Sequence, residues 1–259
     1  QRSPFMKSHS LIFFTGLLLT LGSCHTPYQV ASVSRTRVLI DTRYDAHPDA
    51  DAEAFITPYK HDVDSIMNPV VGEAARELDV YSPESPLSNL LADIMVWAGQ
   101  KYHEHPDLGV YNMGGIRASL PKGVITYGDV VDMAPFDNKI CFFTLNGRQL
   151  MKVFEEIAAT GGQGISHGVE LVITPQLQLV SARLNGEPID PGRQYRVATI
   201  DYVAQGNDKM PTFREGTNLV APVGQENNSR FIIRDYFLAM KQQGKMIDAQ
   251  KEGRITIKK

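Results

Sequence analysis

Cysteine is scarce in this chain, with two in 259 residues, Cys24 and Cys141. That excludes a disulfide framework as the basis of the fold, and a chain of this length can bury a core without such staples. An excess of charge is missing too. Lys and Arg total 26 against 29 Asp and Glu, giving a formal net charge of −3 and a pI near 6.2. This leaves no electrostatic footprint for nucleic acid, and no basic run or RNA-binding aromatic motif occurs. The apolar run Leu11 to Ser23 is too short to span a bilayer comfortably as a mature helix. A phosphate-cradling G-x-x-x-x-G-K-[ST] loop is absent as well.

What stands at the N-terminus reads as a targeting segment. Met6-Lys7 opens a basic region, the apolar run follows, and it ends in LGSC with small Gly22 and Ser23 before Cys24. That order resembles the lipobox of bacterial lipoproteins, which implies that Cys24 is lipidated and that the protein is held on an envelope membrane. Residues 1–24 are thus read as signal peptide with lipobox, 25–48 as tether and 49–259 as one domain. With Cys24 lipidated, Cys141 in KICFFTL is left as a buried strand residue acting as a small hydrophobe.

Along the chain, Arg37 to Asp41 is strand-like. Asp49 onward is helical in pattern, with Ala54, Phe55, Tyr59, Val63, Ile66 and Met67 near helical spacing and with Pro58 and Pro69 as interruptions. NPVVGEA then reads as a strand. Ser85 is an N-cap with Pro86 at the first helical position, and Leu87, Leu90, Leu91, Ile94 and Ala98 form one apolar stripe. DLGVYN is a buried strand. Thr126 with Asp129 caps a short helix stopped by Pro135. KICFFTLNG is a strand ending in an Asn-Gly turn, and RQLMKVFEEIAAT is an amphipathic helix. GVELVIT, LVSARLNG, QYRVATI and RITIK are strands, with a last helix over Arg230 to Gln243. Helices and strands alternate without a strict βαβ rhythm, so the expected class is α/β (α+β), a mixed β-sheet sandwiched by helices.

A catalytic centre is hard to assemble from these residues. Asp45-Ala46-His47 has the D-x-H spacing that opens two-metal phosphatase sites, but the G-N-H-E, G-H-x-H and G-D-x-N partners that hold a second cation are missing. His103 and His105 lie two apart at a helix end, where they do not face one another. A binding site is easier to build. In YNMGGIRASLPKG, Asn112, Gly114, Gly115 and Arg117 stand together at a strand end. A tight turn with a surface arginine is one reading. An anion or nucleotide site is the other, because glycines admit close backbone approach and arginine grips phosphate in a fork. Phe136 and Tyr202 can serve as stacking platforms or as core residues, and Asp208 can accept from ribose hydroxyls.

SPLSNLLADIM, the long stretch YNMGGIRASLPKGVITYGDVVDMAPFDNKICFFTLNGRQLMKVFE and YRVATIDYVAQGNDKM together resemble the C-terminal, substrate-binding domain of bacterial and animal 5′-nucleotidases. The resemblance covers roughly Asp49 to Lys259. It implies that Asn112, Gly114, Gly115 and Arg117 match the family's N-G-G-G-I-R loop and Phe136 its P-F aromatic. Tyr202 and Asp208 match the aromatic and aspartate of its N-F-x-x-G-G-D-G loop. Met113 stands in place of the first loop glycine, GNDK replaces G-G-D-G, and VYSPES lacks the arginine usual just before the family's E-S-P-L-x-N helix. In that family a separate N-terminal domain carries two divalent metals and the catalytic groups. The resemblance therefore implies no catalytic or metal residues and no cofactor in this chain. It implies a nucleotide-recognition domain working in nucleotide catabolism with a metallophosphatase polypeptide. A binding-only envelope protein and a degenerate scaffold are the alternatives.

Overall fold

The computed structural model describes residues 30–258, so Cys24 and its lipobox lie outside the described residues. The chain divides into two units, Gln1–Glu53 and Ala54–Lys259. In the first, every described residue is exposed. The strand expected over Arg37 to Asp41 does not form, since an extended segment needs a partner strand and none pairs with it among the described residues. Asp41 instead caps a single 3-10 turn, Thr42–Tyr44, and pairs with Arg43 at 2.7 Å.

Helix α1 spans Ala50–Met67 and runs through Pro58, which was expected to interrupt it. The helix is exposed along nearly its whole length, so water can serve the carbonyl that proline leaves unbonded. Its Phe55, Tyr59, Val63 and Ile66 are exposed as well, so this helical spacing does not mark a core face. Strand β1, Val70–Ala74, follows. Helix α2, Pro86–Ala98, begins with a capping box between Ser85 and Ser88 and buries Leu87, Leu90, Leu91, Ile94 and Ala98. Strands β2, Leu108–Tyr111, and β3, Gly123–Thr126, lead to α3, Tyr127–Met133, which Thr126 and Asp129 cap reciprocally.

Strand β4, Ile140–Asn146, passes into α4, Gly147–Ala159. The Asn146-Gly147 pair expected to turn the chain is a helix start: Asn146 accepts from Gln149 N–H at 3.0 Å. Gly147 is needed there because a Cβ would come within 1.9 Å of the Asp190 carbonyl oxygen. Strands β5, Gly164–Ile165, β6, Val169–Ile173, β7, Leu179–Leu184, β8, Glu187–Pro188, and β9, Gln194–Ile200, come next. The chain then forms α5, Asp201–Ala204, β10, Thr217–Val220, α6, Ser229–Gln242, and β11, Ile255–Ile257.

The strands form a pair, β1–β3, a sheet of order β10-β4-β9-β2-β5 and a sheet of order β11-β6-β7-β8. Both larger sheets are mixed. β2 runs parallel to β9, with Leu108 opposite Val197, while β4 runs antiparallel to β9, with Ile140 opposite Ile200. The core beneath them includes Phe142, Phe143, Phe154, Leu108 and Leu145, each side chain worth about 1.5–3 kcal/mol on burial. Cys141 belongs to this core, and burial pushes its thiol up to about 12, with the charge of Asp201 adding to the effect. Among the described residues no helix is long and apolar enough to cross a membrane.

The final segment is clasped to α2. Arg254, 4% exposed, bonds both oxygens of Asp93 at 2.9 and 2.8 Å, the Ile165 carbonyl at 2.7 Å and Glu252 at 3.0 Å. Glu84 Oε1 accepts from Asn89 Nδ2 and from the Glu252 N–H, both at 2.8 Å. Asn89 Nδ2 also reaches the Gln250 carbonyl at 3.1 Å.

Candidate functional site

Sheet register brings distant loops to one place. β2 and β9 are parallel neighbours, so the residues that follow them, Asn112 and Asp201-Tyr202, emerge side by side. β4 enters antiparallel to β9 with Ile140 at the same end, which places the preceding Phe136 to Asn138 stretch there too. Asp201 N–H bonds the Lys139 carbonyl at 2.8 Å and Arg117 N–H bonds the Met133 carbonyl at 2.9 Å, fixing the three loops to one another. The carboxyl ends of parallel strands are where sheets of this kind take ligands.

Asn112, Gly114, Gly115, Arg117, Phe136, Tyr202 and Asp208 all line one cavity of about 250 Å³ at this end. Every candidate binding residue read from the sequence is therefore in one wall or another of the same pocket. Asn138 lines it as well and was not foreseen. Its position two residues after Phe136 is the available signal.

The polar side of the pocket is organised around Asp208. Asn112 Nδ2 donates to its Oδ2 at 2.6 Å, and the Tyr202 hydroxyl donates to its Oδ1 at 3.1 Å. The Asp208 hydrogen bond, with the carboxylate's charge behind it, raises the Tyr202 phenol above its ordinary value and keeps it a donor. Asn112 is 3% exposed, and its Oδ1 has no hydrogen-bond partner among the described residues. A Cβ on Gly115 would lie 2.8 Å from that oxygen, so this loop position has no room for a side chain. Arg117 is exposed, with one long bond of 3.4 Å to the Gly114 carbonyl. It is the cation among the lining residues, left open to an anion. Phe136 and Tyr202 are 45% and 39% exposed, and among the described residues neither ring stacks on another aromatic ring.

A family model described as 5′-nucleotidase, C-terminal domain, matches residues 68–215, more than half of the chain. The chain belongs to the 5′-nucleotidase C-terminal domain family. An apyrase of Tabanus yao is 30% identical over 154 residues, 50% of this chain and 28% of that protein. A trifunctional nucleotide phosphoesterase protein of Bacillus subtilis is 29% identical over 198 residues, 69% of this chain and 13% of that protein. A 5′-nucleotidase precursor from Thermus thermophilus superposes with a TM-score of 0.68 at 27% identity, over 80% of this chain and 43% of that one. The chain thus spans less than half the length of each of these relatives.

The fold also absorbs the departures from the family's motifs. Met113 sits in a 3-10 turn, outside the positive-φ residues, with its N–H on Gln163 Oε1 at 2.8 Å and its sulfur taking the Ser82 hydroxyl at 3.8 Å. No glycine is required at that position. In GNDK, Asp208 and Lys209 adopt φ of 52° and 62°, the left-handed region that L side chains enter at a cost. Asn207 Nδ2 holds the Tyr202 carbonyl at 2.8 Å and steadies the strained loop from inside.

The other motifs lie elsewhere. Asp45 and His47 are exposed in the first unit, and His103 ends a 3-10 turn with φ 56°. Among the described residues no group of three or more His, Cys, Asp or Glu could hold a metal ion. A G-x-S-x-G pattern, Gly164 to Gly168, escaped the sequence reading and is the pattern of a nucleophile elbow. Its context does not fit one. Ser166 is 3% exposed, its hydroxyl accepts from Gly109 N–H at 2.8 Å, and a strand rather than a helix follows.

Proposed function

We propose that this chain is the nucleotide-recognition part of a 5′-nucleotidase-type phosphohydrolase in nucleotide catabolism, with catalysis supplied by a separate metallophosphatase polypeptide. The observation that carries this reading is the single cavity lined by two part-exposed aromatics, an anchored aspartate and an open arginine. A base stacks between aromatics, a sugar hydroxyl donates to a carboxylate, and a phosphate takes the guanidinium. The cavity falls below the roughly 300–1,000 Å³ of pockets that engulf a drug-sized ligand. It therefore holds one end of the nucleotide and leaves the phosphate side toward solvent, where a partner's chemistry can reach it. The partner's two divalent metals would polarise the phosphoryl group and generate the attacking hydroxide. This chain's own residues bind and orient.

The N-terminal segment fits lipidation at Cys24 and an envelope location, where nucleotides arriving from outside would be met. A cell wall protein of Listeria monocytogenes, 24% identical over 236 residues, is among the relatives and agrees with that setting.

Calorimetric titration with AMP, adenosine and UDP-glucose tests the recognition role. Arg117→Ala should weaken AMP by about 1.5–3 kcal/mol, the worth of a hydrogen bond to a charged group, and weaken adenosine far less. Equal losses for both ligands would remove Arg117 from the phosphate. No heat with any ligand would mean a pocket that no longer binds. Phosphatase assays with added Mn²⁺ or Zn²⁺ should show turnover only when a metallophosphatase is added.

A further inference from the structure

Both oxygens of Asp208 are engaged before any ligand arrives, and they are engaged unequally. Oδ2 is held at 2.6 Å by Asn112, a side chain 3% exposed and so unable to swing away. It faces the glycine loop, where a Cβ added to Gly114 would stand in ordinary contact with it at 3.5 Å. Oδ1 is held at 3.1 Å by the hydroxyl of Tyr202, whose ring is 39% exposed at the cavity. The tyrosine is aimed at this oxygen by its backbone. Asp201 Oδ1 accepts its N–H at 2.8 Å, Asn207 takes its carbonyl, and the left-handed turn at Asp208 folds the carboxylate back over it.

A ribose offers two neighbouring hydroxyl donors, and a carboxylate gains most from such a diol when both its oxygens are open. We propose that the Tyr202 hydroxyl is a specificity-determining group which caps Asp208 Oδ1 and so weakens discrimination between ribo- and 2′-deoxyribonucleotides. The proposal rests on the nucleotide reading above. A phenylalanine here would offer the same ring without a hydroxyl to place on the aspartate. With one lone pair of Oδ1 spent on the Tyr202 hydroxyl, as one of Oδ2 is spent on Asn112, the second sugar hydroxyl finds a weaker acceptor, and removing it costs the ligand less. The site thereby accepts breakdown products of both nucleic acids.

The test is the dissociation constant of AMP and of 2′-deoxy-AMP, measured by calorimetry on the wild type and on Tyr202→Phe. The wild type should bind the two ligands alike. Tyr202→Phe keeps the ring and frees Oδ1, so the preference for AMP should widen roughly tenfold, chiefly through tighter AMP binding. Damage to the fold would weaken both ligands by one factor and leave their ratio fixed. A fixed ratio with AMP still bound would overturn this proposal and spare the pocket. A ratio that narrows would also overturn it, because the hydroxyl would then be accepting from the sugar directly. Failure of the wild type to bind either ligand would bring down the nucleotide reading and this proposal with it.

Discussion

Arg254 and Arg117 are built in opposite ways. Arg254 is nearly sealed from solvent and spends its guanidinium on Asp93, Glu252 and the Ile165 carbonyl. Arg117 is exposed and holds one long bond to a backbone carbonyl. The same side chain serves as a rivet in one region and an unfilled hand in the other. The surroundings follow suit. Around Arg254, α2 and the final segment are tied through Glu84, Asn89 and Asp93, with Glu84 Oε2 and Asn89 Oδ1 left over among the described residues, whereas Arg117 shares its cavity with Asn112 and the left-handed Asp208. What separates the two regions is the exposure of the guanidinium: one is spent inside the fold and the other is left where a ligand could use it.

The sharpest way to break the contrast is Arg254→Ala. Removing this buried guanidinium, whose partners Asp93 and Glu252 stay partly exposed, should cost about 1.5–3 kcal/mol, read from the shift of the urea midpoint, with AMP affinity of the folded protein unchanged. Tyr202→Ala should do the reverse. It should weaken nucleotide binding by about 1–3 kcal/mol and leave the melting temperature nearly where it was. If both variants lose stability and affinity together, the two regions are one energetic unit.

Lys209→Gly sharpens the comparison from the side of strain. Glycine adopts φ of 62° freely but loses more chain entropy on folding, so a net gain near 0.5–1 kcal/mol is expected in urea unfolding. A loss would mean that the lysine side chain contributes more than its backbone costs. The smallest effect is in acid. Burial raises the pKa of Glu252, but hydrogen bonds from Arg254 and His167 outweigh it and hold the group below its ordinary 4.5. A depressed carboxylate stabilises the fold above its unfolded pKa and loses that contribution as pH falls through the folded value. Stability should therefore decline below about pH 4.5, and Glu252→Gln should flatten that part of the curve when unfolding is followed against pH.

Local chemistry was legible in the sequence where neighbours in the chain decide the outcome. Ser85-Pro86 and Thr126 with Asp129 announce their helices because the capping partners lie within one turn. Asn146-Gly147 was misread as a turn because the same two residues serve either purpose. The deciding contact, the Asp190 carbonyl against Gly147, comes from far along the chain. Arg37 to Asp41 has strand-like composition but no partner strand among the described residues, and pairing cannot be read from one segment. The pocket was legible through motif resemblance, residue by residue. Asn138 was not, since it reaches the cavity only because β4 starts beside the end of β9. Arg254 was read only as part of a strand, its burial being set by Asp93 and Glu252 once the chain has folded back.

The parallel pairing of β2 with β9 also sets a timetable. Leu108 meets Val197 across 89 residues of chain, and only that meeting brings Tyr202 and Asp208 to the glycine loop. A chain still emerging from the ribosome, complete through α4, already contains Asn112, Arg117 and Phe136 but neither Tyr202 nor Asp208. Closing so long a loop is slow, and contacts of this sequence separation come late in folding. The cavity is thus a property of a chain that extends through Asp208, and its appearance during refolding would mark the moment the central sheet closes.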